Sequence, residues 1–392
     1  MKTNVSKRTF LSKTVQNLKP SGIRKFFDLA SQMEGVISLG VGEPDFVTPW
    51  NICEAGLNSL EQGYTGYTSN AGLIELREEI ARYLKNRFAL HYHPKDEIIV
   101  TVGASQAIDI ALRAILDPGD EVLIVEPSFV AYAAAVTLAG GVPVSVATHA
   151  ESEFKLLPHQ LEEKITEKTK ALILCFPNNP TGTTMSYHDL KEIVDIVIKH
   201  NLVVISDEIY AELTYDTEHT SIAAFPNMKE RTIHISGFSK AFAMTGWRLG
   251  YACGPREIME AMLKIHQYAI MCAPTMAQYG ALEALRNGLD DVAYMVKSYR
   301  QRRNYLVHTF REIGLDCHMP GGAFYVFPSI KRTGLSSEEF AEQLLHEEKV
   351  AVVPGNVFGE GGEGHIRCSY ATSLEELQEA MKRIARFVKK RI

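Results

Sequence analysis

The segment ISGFSKAFAMTGWRLGY, residues 235–251, places one lysine and one arginine between two apolar runs. Burying such charges without partners is costly, so they are either two solvated loop charges or members of a site. Desolvation would lower the pKa of Lys240 and free its amine as a nucleophile. The guanidinium fork of Arg248 suits a phosphate. The pair therefore suggests a carbonyl cofactor that carries a phosphate, and pyridoxal phosphate is the obvious candidate.

Outside this segment, the composition is that of an ordinary globular enzyme. A chain of 392 residues is too long for one small core, so two domains are expected. A net charge of −6 gives no electrostatic case for binding nucleic acid or membrane surfaces. No apolar run reaches transmembrane length, and residues 1–19 lack the apolar core of a signal peptide.

Cysteine and histidine usage argues against a disulfide framework and a metal site. The six cysteines are scattered without a CxxC pair, which fits small buried side chains in a reducing cytoplasm. The thirteen histidines show no ligand spacing such as HExxH, so we expect no metal.

Near-continuous apolar strands alternate with helical or loop segments through the middle of the chain. We predict strands at residues 97–102, 122–126, 143–147, 170–176, 202–206, 232–235 and 249–253. This pattern indicates an α/β fold, with a mostly parallel seven-stranded sheet and helices on both faces. Ligands in such sheets bind where strands end and helices begin.

The pattern changes beyond about residue 285. A long helix is predicted over residues 292–313, followed by strands at 323–327, 350–353 and 365–370 and a last helix capped by Ser373. We therefore expect residues 46–285 to form a large cofactor-binding domain and residues 286–392 a smaller α+β domain. Residues 1–45 are expected to join the small domain.

Five strand ends carry side chains that could serve chemistry. They are the small-residue turn at 101–107, Phe129 in 126–132, Asn179 in 177–182, Asp207 and Tyr210 in 206–210, and Arg367 in 364–370. Taken singly, each has a structural explanation as a turn, a helix cap, a core aromatic or a surface strand residue. Taken together, they could bind one ligand. They provide a turn that binds an anion, an aromatic ring that stacks on a ligand ring, a carboxylate that pairs with a protonated pyridine nitrogen, and an arginine that binds a carboxylate.

The order of these residues resembles a known family. Gly237-Phe-Ser-Lys240, then Met244, then Gly246-Trp-Arg248-Leu-Gly250 resembles the lysine signature of class I/II pyridoxal-phosphate aminotransferases, which have fold type I. The resemblance extends from Gly-Glu-Pro-Asp at 42–45 to Arg367.

The resemblance implies roles for the cofactor site. Lys240 would be the Schiff-base lysine and proton shuttle, Asp207 the partner of the pyridine nitrogen, and Tyr210 a hydrogen-bond partner of the ring oxygen. The full implied cofactor set is Gly103, Ala104, Ser105, Phe129, Asn179, Asp207, Tyr210, Ser239, Lys240 and Arg248, with Tyr67 reaching the phosphate of a neighbouring subunit. Tyr67 thereby implies a homodimer with shared active sites. Many relatives have a phosphate-binding serine where this chain has Gly237, so Ser239 or Ser236 is expected to supply that hydroxyl.

The resemblance also implies the substrate contacts and the reaction. Arg367 and the backbone of Gly42 would clamp the substrate α-carboxylate beside Asn179, while Ile23 and Tyr325 would line the side-chain pocket. The implied reaction is a ping-pong transfer of an amino group from alanine, aspartate or an aromatic amino acid to a 2-oxo acid such as 2-oxoglutarate. Apolar Ile23 favours alanine, whereas Arg24 could instead reach a second carboxylate.

Two other functions remain open from the sequence. A pyridoxal-phosphate-dependent C–S β-lyase of the same fold would keep every cofactor residue. A pyridoxal-phosphate-sensing transcription regulator would need a DNA-binding domain before residue 42, where we see no room for one.

Overall fold

The computed structural model describes residues 10–18, 22 and 33–392 of the protein. The strands are β1 Ile37–Ser38, β2 Ile98–Thr101, β3 Glu121–Glu126, β4 Val142–Ala147, β5 Thr169–Cys175, β6 Val203–Asp207, β7 Thr232–Gly237, β8 Gly250–Cys253, β9 Tyr325–Val326, β10 Val350–Ala351, β11 Val353–Pro354 and β12 Ile366–Ser369. The helices are α1 Lys13–Asn17, α2 Trp50–Glu61, α3 Ile74–Phe88, α4 Gly103–Ile115, α5 Ala131–Leu138, α6 Pro158–Glu162, α7 Tyr187–Lys199, α8 Arg256–Ala269, α9 Thr275–Asn287, α10 Leu289–Glu312, α11 Ser337–Glu348 and α12 Leu374–Lys389.

The seven predicted strands of the middle region form one sheet in the order β2-β8-β7-β6-β5-β3-β4. Strand β8 is antiparallel to both of its neighbours, and the other six strands run in one direction. The prediction of a mostly parallel seven-stranded sheet is confirmed.

Helices cover both faces of this sheet, because successive side chains of each buried strand point to opposite sides. In β5, Ile173 packs with α4 and α8 on one face, whereas Leu172 packs with α7 on the other. Both faces are therefore apolar, which explains the near-continuous hydrophobic runs seen in the sequence.

The remaining strands, all but β1 from residues after 288, form two smaller sheets. Strands β11, β12 and β9 form an antiparallel sheet, and β1 pairs in parallel with β10, with Ile37 opposite Val350. The last helix begins as predicted, with the Ser373 side chain accepting from the Glu376 amide. The domain boundaries at residues 45 and 285 stay predictions, although the β1–β10 pairing agrees with an N-terminal segment that joins the C-terminal part.

The strand register places the suggestive residues at one edge of the large sheet. Asp207, at the end of β6, lies between Cys175 of β5 and Ile235 of β7. The loops that follow these three strands carry Asn179, Tyr210 and Lys240. In the part of the chain described here, no helix is both long and apolar enough to cross a membrane.

Candidate active site

A cavity of about 440 Å³ lies at this edge, where the segments that follow β1, β2, β3, β5, β6 and β7 meet side chains of β9 and β12. It brings together twelve of the predicted site residues: Gly42, Ala104, Ser105, Phe129, Asn179, Asp207, Tyr210, Ser239, Lys240, Arg248, Tyr325 and Arg367. Gly103 lies beside Arg248 at the same end, while Tyr67 is 82% exposed and does not line the cavity. Ile23 and Arg24 lie outside the described residues.

Lys240 lies at the centre of the charged groups in the cavity. Its Nζ donates to the carbonyl oxygen of Gly42 at 2.5 Å and lies 5.8 Å from the centre of the Tyr210 ring. Burial, together with the positive charge of Arg367, lowers the pKa of Lys240 to about 8. About one tenth of the Lys240 side chains are therefore uncharged, nucleophilic amines at pH 7, far more than for an ordinary lysine.

Asp207 is a carboxylate that is only 5% exposed. It accepts from the Tyr132 hydroxyl at 2.7 Å and from the Ile209 amide at 3.2 Å, and both of these donors are uncharged. Burial raises the pKa of Asp207 because the charged form loses its hydration. A cation in the cavity would stabilise the ionised form.

Tyr132 was not identified from the sequence as a site residue, although the segment 126–132 was. A tyrosine at the start of an alanine-rich helix has the pattern of a core aromatic, and its side chain is indeed buried. Its hydrogen bond crosses 75 positions to Asp207, and no local sequence signal marks such a contact.

Arg367 is 3% exposed and is oriented by two acceptors. Its Nη1 donates to Asn179 Oδ1 at 2.8 Å, its Nη2 donates to the Gly40 carbonyl at 2.6 Å, and its guanidinium lies 4.5 Å from the Tyr325 ring centre. Its Nε is buried without a hydrogen-bond partner among the described residues. A buried donor of this kind is costly unless a ligand satisfies it. Because Asn179 uses its amide oxygen here, its NH₂ group remains to face an acceptor.

Two tyrosines form the wall beside Lys240. The hydroxyls of Tyr210 and Tyr325 lie 2.9 Å apart. Burial raises the pKa of Tyr210, which keeps its phenol protonated and able to donate. A Cβ at position 42 would lie 2.9 Å from the Tyr325 hydroxyl, so glycine is required there for the loop to approach this wall.

An anion cradle forms where α4 begins. Gly103 has φ +76°, and a Cβ there would lie 2.7 Å from Arg248 Nη2, so glycine lets the guanidinium reach the helix N-terminus. Arg248 is held in turn by a 2.9 Å bond from its Nη1 to the Thr245 carbonyl. Exposed amides at a helix N-terminus together with an arginine fork suit a phosphate.

The two candidate serines have different surroundings. Ser239 lines the cavity, whereas the Ser236 hydroxyl donates to the Glu208 carbonyl at 3.2 Å. A side chain at position 237 would lie 3.0 Å from both Gly250 Cα and the Leu249 carbonyl, which explains the glycine at this position. The geometry therefore supports Ser239 as the hydroxyl available to an anion in the cradle.

Comparison with known proteins identifies one family along nearly the whole chain. The model for "Aminotransferase class I and II" matches residues 34–384. The chain is 66% identical over 382 residues to YugH of Bacillus subtilis, covering 97% of this chain and 99% of that protein. It is 50% identical over 384 residues to an aspartate aminotransferase of Pyrococcus abyssi, covering 97% and 99%.

A solved structure supports the fold. The crystal structure of an aromatic aminotransferase from Pyrococcus horikoshii superposes with a TM-score of 0.90 at 48% identity, covering 94% of this chain and 99% of that chain. The fold type I architecture expected from the sequence is thereby confirmed. A family model that spans residues 34–384, relatives at this identity and a matching fold lead to one conclusion: this chain belongs to the class I and II aminotransferase family.

Proposed function

We propose that this aminotransferase uses pyridoxal 5′-phosphate to move the α-amino group of an L-amino acid to a 2-oxo acid such as 2-oxoglutarate. The observation that carries the proposal is the donor set of the cavity. One cavity of about 440 Å³ is lined by four such groups. They are a lysine with a lowered pKa, a buried carboxylate, an arginine at a helix N-terminus and an arginine whose buried Nε has no partner among the described residues.

These residues fit pyridoxal phosphate group by group. The cradle of Gly103, Ala104 and Arg248 suits the phosphate, and Asp207 suits a protonated pyridine nitrogen. The Asn179 NH₂ group and the Tyr210 hydroxyl can donate to the ring oxygen. Lys240 would hold the cofactor covalently.

When bound, pyridoxal phosphate supplies an electron sink that stabilises negative charge on the substrate α-carbon. The Lys240 amine would take the proton from the substrate α-carbon and would return it at the carbon on the other side of the substrate nitrogen. Asp207 would pair with a protonated ring nitrogen, and Arg367 would hold the substrate carboxylate and so orient the α-carbon.

The donor side chain is proposed to be that of alanine, aspartate or an aromatic amino acid. Relatives named for aspartate and for aromatic substrates both match along nearly the full length, so similarity does not choose between these substrates. Tyr325 contributes a ring to the wall of the cavity.

We also propose that the enzyme acts as a homodimer with shared sites. Tyr67 is 82% exposed and lies away from the cavity of its own chain, which suits a side chain that reaches the phosphate of a partner subunit. Trp50, Tyr64 and Tyr268 are further large exposed side chains, and such surfaces mark protein contacts when they are contiguous.

The visible spectrum of the purified holoenzyme, recorded during titration with single amino acids, tests the function. We expect the cofactor band to convert to that of the pyridoxamine form without release of ammonia, and a 2-oxo acid to restore it. Pyruvate and ammonia formed from cystathionine without any oxo-acid acceptor would instead identify a C–S β-lyase.

Replacing Arg367 with alanine should raise KM for every amino donor by about two orders of magnitude. The variant loses charge-assisted bonds to the α-carboxylate, each of which contributes about 1.5–3 kcal/mol. Steady-state kinetics with alanine, aspartate and phenylalanine as donors measure the effect, and the exposed Arg82→Ala serves as the control. An unchanged KM for all three donors would remove Arg367 from the site.

The rate at which apoenzyme combines covalently with pyridoxal phosphate should rise with pH. Because burial lowers the pKa of Lys240 to about 8, the ammonium form predominates below pH 8 and the nucleophilic amine above it. Stopped-flow absorbance between pH 6 and 10 should give half the maximal rate constant near pH 8. A midpoint near 10.4, the ordinary value for lysine, would contradict the desolvated environment.

A further inference from the structure

The two cations nearest the proposed substrate position are held by one short loop. We call residues 40–48 the carbonyl loop. The carbonyl of Gly40 accepts from Arg367 Nη2 at 2.6 Å, and the carbonyl of Gly42 accepts from Lys240 Nζ at 2.5 Å. The orientations of the Arg367 guanidinium and of the Lys240 amine therefore depend on the position of this loop.

An ion pair outside the cavity fixes the middle of the carbonyl loop. One guanidinium nitrogen of Arg302, in α10, donates to both carboxylate oxygens of Asp45 at 2.9 Å. The pair is largely shielded, with the Arg302 side chain 12% exposed and that of Asp45 24% exposed. The rings of Phe46 and Tyr299 lie 5.4 and 5.6 Å from the guanidinium, within the range of cation–π attraction.

The same arginine also donates a hydrogen bond to the residue that follows β12, the strand that contains Arg367. Arg302 Nη1 donates to the carbonyl of Tyr370 at 3.3 Å, three residues beyond Arg367. Arg302 Nη1 thus hydrogen-bonds both to the carbonyl loop, which contains the Gly40 acceptor, and to the segment that contains the Arg367 donor. A displacement of about 1 Å at a reacting group can cost about a hundredfold in rate, so a fixed spacing here matters for function.

We propose that Asp45 and Arg302 are positioning residues that set the affinity of this enzyme for the substrate α-carboxylate. They act through the carbonyl loop and touch neither substrate nor cofactor. The inference rests on the proposed function, in which Arg367 binds that carboxylate. Apart from Lys240, the proposed cofactor contacts lie on other elements: Asp207 at the end of β6, Asn179 after β5, and Arg248 before β8. Loss of the pair should therefore weaken carboxylate binding far more than cofactor binding.

Two binding measurements test the proposal without relying on turnover. Calorimetry on the holoenzyme gives Kd for two unreactive carboxylates, 3-phenylpropionate and maleate. Fluorescence titration of apoenzyme gives Kd for pyridoxal phosphate. For Asp45→Asn we expect carboxylate Kd to rise about tenfold to a hundredfold, with cofactor Kd unchanged within about twofold. In kinetics, KM should rise more than kcat falls.

Two further sets of variants define the interaction. Arg302→Gln should raise the carboxylate Kd as much as Asp45→Asn does. The double variant should raise it no further than the more impaired single variant, because both substitutions remove the same interaction. Arg300→Gln is the matched control, since Arg300 lies on the same helix and pairs with the exposed Asp216. If Arg302→Gln does not fold, Asp45→Asn alone decides the matter, because it keeps the arginine between its two rings.

The outcomes separate this inference from the proposed function. Unchanged carboxylate Kd in Asp45→Asn, or equal losses of carboxylate and cofactor affinity, would overturn the positioning role. Arg367→Ala in the same assay tests the carboxylate-binding role of Arg367 in the proposed function. If Arg367→Ala loses carboxylate binding while Asp45→Asn does not, only the inference fails. If Arg367→Ala binds both carboxylates normally, the proposed role of Arg367 fails, and the inference fails with it.

Discussion

Replacing Lys240 with alanine is expected to reduce kcat by about four orders of magnitude or more, because the variant loses both the covalent attachment point and the group that moves the α-proton. The cofactor should still bind, since Asp207, Asn179, Arg248 and the helix N-terminus remain in place. Single-turnover absorbance measures the rate, and dialysis followed by fluorescence measures retention.

Lys191→Ala is the control for this variant, because Lys191 is exposed on α7, away from the cavity. It should keep the activity of the unmodified enzyme. Sustained transamination by Lys240→Ala at a rate near that of the control would show that another group moves the proton.

The second large effect is expected at Asp207. Asp207→Asn keeps the shape of the side chain and can still accept from the Tyr132 hydroxyl, but it removes the negative charge. Breaking a buried charge pair costs about 3–5 kcal/mol. Since each 1.36 kcal/mol is a factor of ten, kcat/KM should fall by about two to four orders of magnitude. The absorbance of bound cofactor should also lose the features of a protonated ring.

The exposed Asp195→Asn on α7 provides the matched control, because it makes the same chemical change far from the cavity. If Asp207→Asn retained activity within about threefold of this control, the assignment of Asp207 to the ring nitrogen would be wrong, because a lost buried pair predicts far more.

Much of the large sheet was predictable because each strand is buried on both faces, so that runs such as the one around Ile173 are apolar without interruption. The antiparallel direction of β8 was not predicted. Only residues 238–249 separate β7 from β8, and they contain no helix to carry the chain back across the sheet for a parallel pairing. The sequence pattern shows that β8 is a strand but not its direction.

In the site, the residues that follow strand ends were predictable and their partners were not. Lys240 and Asp207 stand beside apolar strands where a charge needs an explanation. The bond between Arg367 and Asn179 joins positions 188 apart, and that between Arg367 and Gly40 joins positions 327 apart. Tyr132 and Arg302 were missed because a tyrosine or arginine on a helix has no distinctive local pattern.

The most direct test of the account is reduction of the purified holoenzyme with borohydride, followed by peptide mass spectrometry. A single pyridoxyl-phosphate adduct on the peptide that contains Lys240 is the predicted result. Among the described residues, only this lysine combines a lowered pKa with a place among the proposed cofactor-binding residues of the cavity. An adduct on another lysine, or no adduct on protein that retains the cofactor absorbance, would contradict the account.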